Sequence, residues 1–317
     1  MNTVKKAKSR KSLPDRLPWK TDIKRNRTLY LIFIPVVIYY VIFSYLPMAG
    51  IVIAFQDFKI KRGIFGSSFV GFDNFRDLFN RETFGLVMRN TTMISLLNLT
   101  LGFVFPIIVA LLISEVRNKA YKRTVQTISY TPHFVAAVVV TALVQEFLSV
   151  NGGITQLLSL FGFEKQNWLA NANPPVFWFI MNFIEIWQGA GYGAIIYVAA
   201  IANISGDLFE AAAIDGATRW QRLTRITLPS ITPLIVMMFT LKIGTIFMTG
   251  YDKVLLLYMP ATYDVSDVLY TYTYRMAFSS QNYGLSAASG LFQSVIATTL
   301  LLISNGLSRK LTDSSLF

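Results

Sequence analysis

The chain has 317 residues, of which 53% are hydrophobic and only 15% are charged, and its formal net charge is +12. About a quarter of the residues in an ordinary soluble domain are charged, so this composition indicates a protein surrounded largely by lipid. There is no Cys, which excludes disulfides and thiolate metal sites, and the positive charge is concentrated in a tail and in loops, which indicates control of membrane topology rather than nucleic-acid binding.

The chain begins with a basic segment, residues 1–28, which carries ten Lys and Arg residues and almost no periodic apolar face. This composition predicts a cytoplasmic tail. The apolar run that follows is too long for the core of a signal peptide, and no small-residue cleavage site closes it, so we expect no signal peptide.

Six segments are long and apolar enough to cross a bilayer, which takes about 20 residues in a helix. They predict an all-α membrane protein with a six-span domain over residues 29–306 and a short cytoplasmic tail at 307–317. The first span contains Pro35 and Pro47, which we expect to bend or end it. The predicted spans are 29–55, 91–114, 124–145, 176–202, 230–251 and 285–306.

An even number of spans places both termini on one side of the membrane. The segments on that side would carry 19 of the 29 Lys and Arg residues, and the loops on the other side, 56–90, 146–175 and 252–284, would carry nine. The positive-inside rule therefore predicts that both termini are cytoplasmic and that loop 203–229 lies beside them.

Loop 203–229 has its own helix signals. Ser205 or Asp207 can cap a helix, Gly216 can end it in a left-handed turn, and Thr218 can cap a second helix. Pro229 suits the first turn of the fifth span. The sequence therefore predicts two short helices at an angle beneath the membrane.

The same loop carries the sequence motif Glu-Ala-Ala, three residues, Gly, nine residues, Ile-x-Leu-Pro. It resembles the EAA loop of the permease family of type I binding-protein-dependent ABC importers, and the resemblance extends over about residues 28–310. Stretches at 43–55 and 186–192 resemble the carbohydrate branch, in particular permeases for oligosaccharides released from polysaccharides. The motif positions are Glu210, Ala211, Ala212, Gly216, Ile226, Leu228 and Pro229.

The resemblance implies a multi-pass protein of a bacterial plasma membrane that imports a carbohydrate. Its partners would be a second permease, homologous and expected to be a different chain, two ATPase subunits, and an extracellular solute-binding protein. The ATPases would dock on the loop, through Glu210, Ala211, Ala212, Asp215, Gly216, Arg219, Leu228 and Pro229.

The sequence contains no G-x-x-x-x-G-K-[ST] motif, a single His, and no cluster with metal-ligand spacing. We therefore expect a transport subunit that is not an enzyme and binds no cofactor or metal of its own. ATP and Mg²⁺ would belong to the ATPase partners.

Polar residues inside the spans are candidates for the substrate path, because ionisable groups in a membrane usually face a cavity or a partner. Those of the fourth span recur at helical spacing, as do those of the fifth and sixth. The candidates are Asn182, Glu185, Trp187, Gln188, Tyr192, Lys242, Thr245, Thr249 and Gln293.

The same polar residues are also compatible with purely structural roles. Their side chains could join helices to one another, and Glu185 and Lys242 could form a structural ion pair. His133, beside Pro132, is more typical of helix packing than of a sensor. The small residues Gly189, Ala190, Gly191 and Gly193 could let another helix approach or could loosen their own helix.

Three other functions are compatible with parts of the pattern. A permease of the same family could import a different small solute. A secondary transporter would need internal repeats and broken midplane helices, and no clear repeat is present. A non-transporting scaffold could use the loop to recruit a partner, although the polar residues in three spans argue against it.

Overall fold

The computed structural model describes residues 19–248 and 251–312, so the ends of both predicted tails and the substrate-path candidate Thr249 lie outside the described residues. The chain divides into two compact units, with the boundary in the sequence between Val52 and Ile53. Helices make up nearly all of the described residues, and the strands among them are two residues long. The all-α prediction is confirmed.

The described part of the first unit is helical except for a turn at Asn26. Pro35 lies inside its longer helix without ending it, and the chain passes through a π-helical turn before Pro47. The elements are α1 (Trp19–Arg25), α2 (Arg27–Tyr40), the π turn Val41–Tyr45 and α3 (Leu46–Met48), followed by a 3₁₀ segment, Ala49–Phe55, that continues into the second unit.

The second unit begins with a small antiparallel pair of strands, β1 (Gln56–Asp57) and β2 (Ser68–Phe69), in which Gln56 is opposite Phe69. Helix α4 lies between the two strands in the sequence, and α5 follows the second strand. Its helices are α4 (Gly63–Gly66), α5 (Asp73–Asn80), α6 (Glu82–Leu97), α7 (Phe103–Ser114), α8 (Lys119–Tyr130), α9 (Ala137–Phe147), α10 (Gly153–Leu160), α11 (Pro174–Ala202), α12 (Gly206–Ile214), α13 (Arg219–Arg222), α14 (Leu228–Gly244), α15 (Tyr251–Leu257), α16 (Tyr263–Ser266), α17 (Leu269–Phe278) and α18 (Tyr283–Thr312).

Shorter helical segments connect several of these helices. A π turn joins α6 to α7 and another joins α13 to α14, so each pair forms one long helix. The connecting segments are the π turns Asn98–Gly102 and Leu223–Thr227 and the 3₁₀ turns Thr131–Phe134, Trp168–Ala170, Ile246–Met248 and Pro260–Thr262.

In the described residues, five helices are long and apolar enough to cross a membrane, and a sixth span results if one bent pair is counted. Each overlaps one of the six predicted segments, although the second begins nine residues earlier than expected, at Glu82. The five helices are Arg27–Phe55, Glu82–Ser114, Pro174–Ala202, Arg219–Gly244 and Tyr283–Arg309.

The third predicted span, 124–145, is not one straight helix. Its two halves, Lys119–Phe134 and Ala137–Phe147, meet at an angle of 94°. Pro132 lies in the 3₁₀ turn at the break, where it cannot donate a backbone hydrogen bond. The Gln188 side chain of α11 donates a hydrogen bond to the carbonyl of Val135, within the break, at 2.7 Å.

Helix α11 lies at the centre of the second unit. Its Phe177, Met181 and Ile184 pack in one buried cluster with residues of α6, α9 and α15, and its Ala194 and Tyr197 pack in another with α7. Lipid tails are as apolar as these side chains, so close packing and hydrogen bonds, more than exclusion of water, hold the spans together.

Two glycines of α11 allow neighbouring helices to approach closely. A Cβ atom at Gly191 would lie 1.9 Å from the backbone oxygen of Ser129 in α8, and one at Gly193 would lie 3.2 Å from Pro106 in α7. A Cβ at Gly189 would meet nothing within 4 Å. The small residues at 191 and 193 therefore serve close packing within the chain.

The segment between the fifth and sixth spans is tied to α6 by hydrogen bonds. The Asn90 amide donates to the backbone oxygens of Asp264 at 3.0 Å and Asp267 at 3.1 Å. Burial raises the pKa of the Asp267 carboxyl, and hydrogen bonds from Thr271 and Arg275 oppose that rise. These contacts hold α16 and α17 against α6, and together with α15, which packs against α9, these helices form a cap on the spans.

Candidate functional site

The first candidate site is the loop between the fourth and fifth spans. Ser205 caps α12, because its hydroxyl accepts a hydrogen bond from the Asp207 backbone at 3.3 Å. Gly216 ends the helix with a φ of +74°, and the backbone of Ala217 donates to Ala212 at 2.8 Å. This is a glycine C-cap that an L-residue with a side chain would adopt only with strain.

The second half of the loop differs from the prediction. Thr218 does cap a helix, in a reciprocal capping box with Gln221. That helix, however, continues through the π turn into α14, so that one helix runs from Arg219 to Gly244. Pro229 removes one backbone donor, and the wider π turn before it makes room for the proline ring without breaking the helix.

Helix α12 is therefore an exposed element joined through a single tight turn to a membrane span. The large apolar side chains Ile214 and Trp220 are 87% and 71% exposed. The motif residues Glu210, Ala211 and Gly216 are also exposed. An exposed apolar surface on a polar loop is typical of a protein–protein contact.

Of the other predicted docking residues, Asp215, Arg219 and Pro229 are exposed, whereas Ala212 and Leu228 are half-buried. Asp215 and Arg219 lie on either side of the Gly216 turn, and Leu228 and Pro229 begin α14. Six of the eight predicted docking residues therefore lie around the Gly216 turn. Leu228 and Pro229 lie further along the helix that begins at Arg219.

The second candidate site is a charged cavity beside the break in the third span. Glu185 of α11 accepts a hydrogen bond from Lys253 of α15 at 2.5 Å, with side-chain exposures of 19% and 10%. The cavity has a volume of about 330 Å³ and is lined by His133, Val135, Ala137, Glu185, Gln188, Gly189, Asp252 and Lys253. The partner of Glu185 is thus Lys253 and not Lys242, which the sequence had suggested.

Glu185 also borders a second cavity, of about 310 Å³, which Lys242 lines from α14. On the other side of the first cavity, the His133 ring stacks on the Tyr192 ring, with centroids 3.9 Å apart and planes 4° apart. Glu185 is therefore placed between two lysines, with an aromatic pair nearby.

Two candidates of the fourth span take part in helix packing. Asn182 is buried and donates to the backbone oxygen of Trp178 at 2.9 Å, and Gln188 supports the break at Val135. Trp187 lies on the exposed side of α11.

Thr245 of the fifth predicted span and Gln293 of the sixth form hydrogen bonds with backbone oxygens near the end of the fifth span. The Thr245 hydroxyl donates to the Lys242 oxygen at 3.2 Å, and the Gln293 amide donates to the Phe247 oxygen at 2.9 Å. Gln293 also lines a cavity of about 500 Å³, together with Tyr270, Tyr274 and Thr273. Aromatic faces and hydroxyls of this kind are suited to sugar rings.

Sequence reasoning missed Lys253, which it placed in an outer loop. The available signal was a single Lys at the start of the apolar run 254–257, immediately after the fifth span. His133 was expected to serve helix packing, and only the three-dimensional structure shows that it stacks on Tyr192 beside the cavity.

Residues 102–313 match the family described as "Binding-protein-dependent transport system inner membrane component". The chain belongs to this family. It is thus a membrane-embedded permease of the ABC importer class, as the loop motif indicated, and the family is one of transport components.

Curated relatives of this permease match it over nearly its whole length. The "Polygalacturonan/rhamnogalacturonan transport system permease protein YteP" of Bacillus subtilis (strain 168) is 39% identical over 296 residues, 92% of this chain and 91% of that protein. "Protein LplB" of the same organism is 37% identical over 305 residues, 95% of this chain and 94% of that protein.

Two solved structures are similar in fold and in sequence. One is described as a bacterial ABC transporter involved in the import of the acidic polysaccharide alginate. It is 40% identical, with a TM-score of 0.85, over 93% of this chain and 99% of that one. The other, with a TM-score of 0.86, is described as a bacterial alginate ABC transporter in complex with alginate pentasaccharide-bound periplasmic protein.

Proposed function

We propose that this permease passes an acidic oligosaccharide, a fragment of a uronic-acid polysaccharide, from an extracellular solute-binding protein into the cytoplasm. It would do so as half of a membrane pair with a second, homologous permease. Two ATPase subunits would bind beneath the pair and supply the energy.

The observation that carries this proposal is the 40% identity, over 93% of the chain, to a permease structure described as importing an acidic polysaccharide. A relative named for polygalacturonan and rhamnogalacturonan transport supports the same substrate class. Both names refer to polymers that contain carboxylate-bearing sugars.

The two cavities contain two lysines, which are possible partners for an acidic substrate, beside the carboxylates of Glu185 and Asp252. Lys253 and Lys242 approach Glu185 from two helices, and each lines a cavity large enough for part of a sugar residue. A carboxylate of the substrate could replace Glu185 as the partner of a lysine, which would offset the loss of water from both groups. A neutral sugar offers no such exchange.

The distribution of Lys and Arg supports cytoplasmic termini and a cytoplasmic α12. On that side, the exposed surface around Ile214, Glu210 and Gly216 would fit a cleft of the ATPase. Because the Gly216 turn joins α12 directly to the helix Arg219–Gly244, a push on α12 would be transmitted to the fifth span.

The mechanism we infer is alternating access. Closure of the ATPases around ATP would move α12 and open the space between the paired permeases outward, and hydrolysis would return it inward. Such coupling requires that ATP and sugar each make different contacts in the two states. The Glu185–Lys253 ion pair is a candidate for a contact that differs between the outward-open and inward-open states.

The test uses the complex purified through a tag on this chain and reconstituted in proteoliposomes. Its ATPase activity is measured with the co-purified binding protein and either an alginate or galacturonate oligosaccharide or a neutral oligosaccharide of equal length. We expect stimulation by an acidic oligosaccharide and little by the neutral one. Stimulation by the neutral oligosaccharide and not by the acidic ones would assign another solute.

A variant then tests the role of the lysine. Lys253→Gln should raise the KM for the acidic sugar by at least about tenfold, because a hydrogen bond to a charged group contributes about 1.5–3 kcal/mol. The matched control is Lys165→Gln, at an exposed outer position that lines none of these cavities. Equal effects of the two substitutions would remove Lys253 from the path.

A further inference from the structure

A separate cavity lies where three spans reach the side of the membrane that carries α12. Its volume is about 350 Å³. Ser114 at the end of α7, Ala202 at the end of α11 and Thr227 just before α14 line it, and Phe209 of α12 closes one side.

The wall of this cavity is strongly basic. Arg117, Lys122, Arg219 and Arg222 line it, against the single carboxylate of Glu115. None of the four basic side chains makes an ion pair or a side-chain hydrogen bond within residues 19–248 and 251–312. The cavity is therefore surrounded by an excess of positive charge that no ion pair within the described residues neutralises.

The opposite wall is apolar and is formed by Val198, Ile201 and Phe209. Lys122 and Arg222 line the cavity and are half-buried, so part of each side chain packs against the protein. A ligand that satisfies both walls must carry a negative charge and an apolar part. Basic pockets between spans on the cytoplasmic side favour anionic lipid headgroups for this reason.

We propose that this cavity binds the phosphate of an anionic phospholipid. The phosphate contacts the side chains of the basic wall, and the upper part of the acyl chains lies along Val198 and Ile201. The lipid would connect the loop 115–118 with α12 and α13, and so would brace the base of the loop against the bilayer. This role is distinct from sugar transport and does not depend on the identity of the substrate.

The test measures binding of a fluorescent phosphatidylglycerol to the full chain, purified in detergent with its co-purifying subunits. The double variant Lys122→Gln/Arg222→Gln should weaken binding about 25-fold, at about fivefold per basic residue. Glu115→Gln should strengthen binding about fivefold, because it removes the one negative charge in the wall. Arg219 is left unchanged, since it belongs to the proposed ATPase surface.

The chain provides a matched control. Arg123 and Arg225 lie in the same two segments, are exposed, and do not line the cavity. The double variant Arg123→Gln/Arg225→Gln removes the same charge and should leave binding within about twofold of the original, since the screened attraction of exposed charges is weak. Equal weakening by both double variants would overturn the proposal, because it would show a general attraction to the basic surface.

Two further arms identify the ligand. Phosphatidylcholine should bind weakly and should not respond to the variants, and a response equal to that of phosphatidylglycerol would overturn the proposal. Inorganic phosphate at millimolar concentration should compete poorly. Full displacement by phosphate alone would assign the site to a soluble anion and overturn the lipid assignment. A lack of any change with Glu115→Gln, in a protein of normal thermal stability, would also contradict the proposal.

Discussion

Glu185 and Lys253 lie 68 residues apart in the chain and form an ion pair of 2.5 Å that joins α11 to α15. The pair connects the central helix of the spans to the cap that follows the fifth span. The pair borders a polar cavity, and Glu185 also lines a second cavity together with Lys242.

We predict that Lys253→Ala lowers the free energy of unfolding by about 3 kcal/mol. This is the low end for a broken buried pair, because both side chains retain some exposure. Thermal unfolding of the purified chain in detergent measures the change. The control is Lys59→Ala, whose pair with Asp57 is exposed and should contribute less than about 1 kcal/mol.

The double variant Glu185→Leu/Lys253→Met should recover most of that stability, because no charge is left unpaired in it. It should not recover selectivity for an acidic oligosaccharide. If the double variant were as unstable as Lys253→Ala, the loss would come from altered packing and not from an uncompensated carboxylate.

Gly216→Ala should cost about 1–2 kcal/mol, the strain of a left-handed backbone at a residue with a Cβ. A Cβ there would meet nothing within 4 Å, so the cost is conformational and not steric. Gly206→Ala is the matched control, since Gly206 has equal space and a φ outside the left-handed region. It should be neutral or slightly stabilising. Chemical unfolding measures the free energy of unfolding of both variants. Equal losses in the two would argue against a C-cap at Gly216.

Gly191→Ala should prevent normal folding or cost about 3 kcal/mol or more. Its Cβ would overlap the backbone of Ser129, which cannot rotate away as a side chain could. Gly189→Ala, two residues earlier in the same helix, meets open space and should be tolerated. The yield of monodisperse protein and its unfolding temperature separate the two variants. A well-folded Gly191→Ala protein would show that α8 and α11 do not pack as closely as Gly191 allows.

Helix positions and helix caps, which depend on neighbouring residues in the chain, could be predicted from the sequence. Apolar run length predicts the positions of the long helices, and the residue types at Thr218 and Gly216 predict the caps that the structure contains. Ser205 and Asp207 were equally good caps by sequence, and the structure selects Ser205. These features depend on residues within one or two helical turns, which is why they can be predicted from sequence alone.

Features that depend on distant residues could not be predicted in this way. The partner of Glu185 lies in a helix that the hydropathy pattern assigned to a loop. The break in the third span is supported by Gln188, 53 residues away. The second loop helix was expected to be short and separate from the fifth span, yet the π turn before Pro229 carries the helix into that span.

Co-purification shows whether partner ATPases dock on α12. The chain is tagged and isolated from native membranes as the original sequence and as Ile214→Asp, which alters an 87% exposed side chain. We predict that the original recovers a second permease and a P-loop ATPase, and that the variant recovers the permease with the ATPase strongly reduced. A chain that is isolated without any ATPase, or a variant that retains the ATPase in full, would show that α12 is not where an ATPase docks.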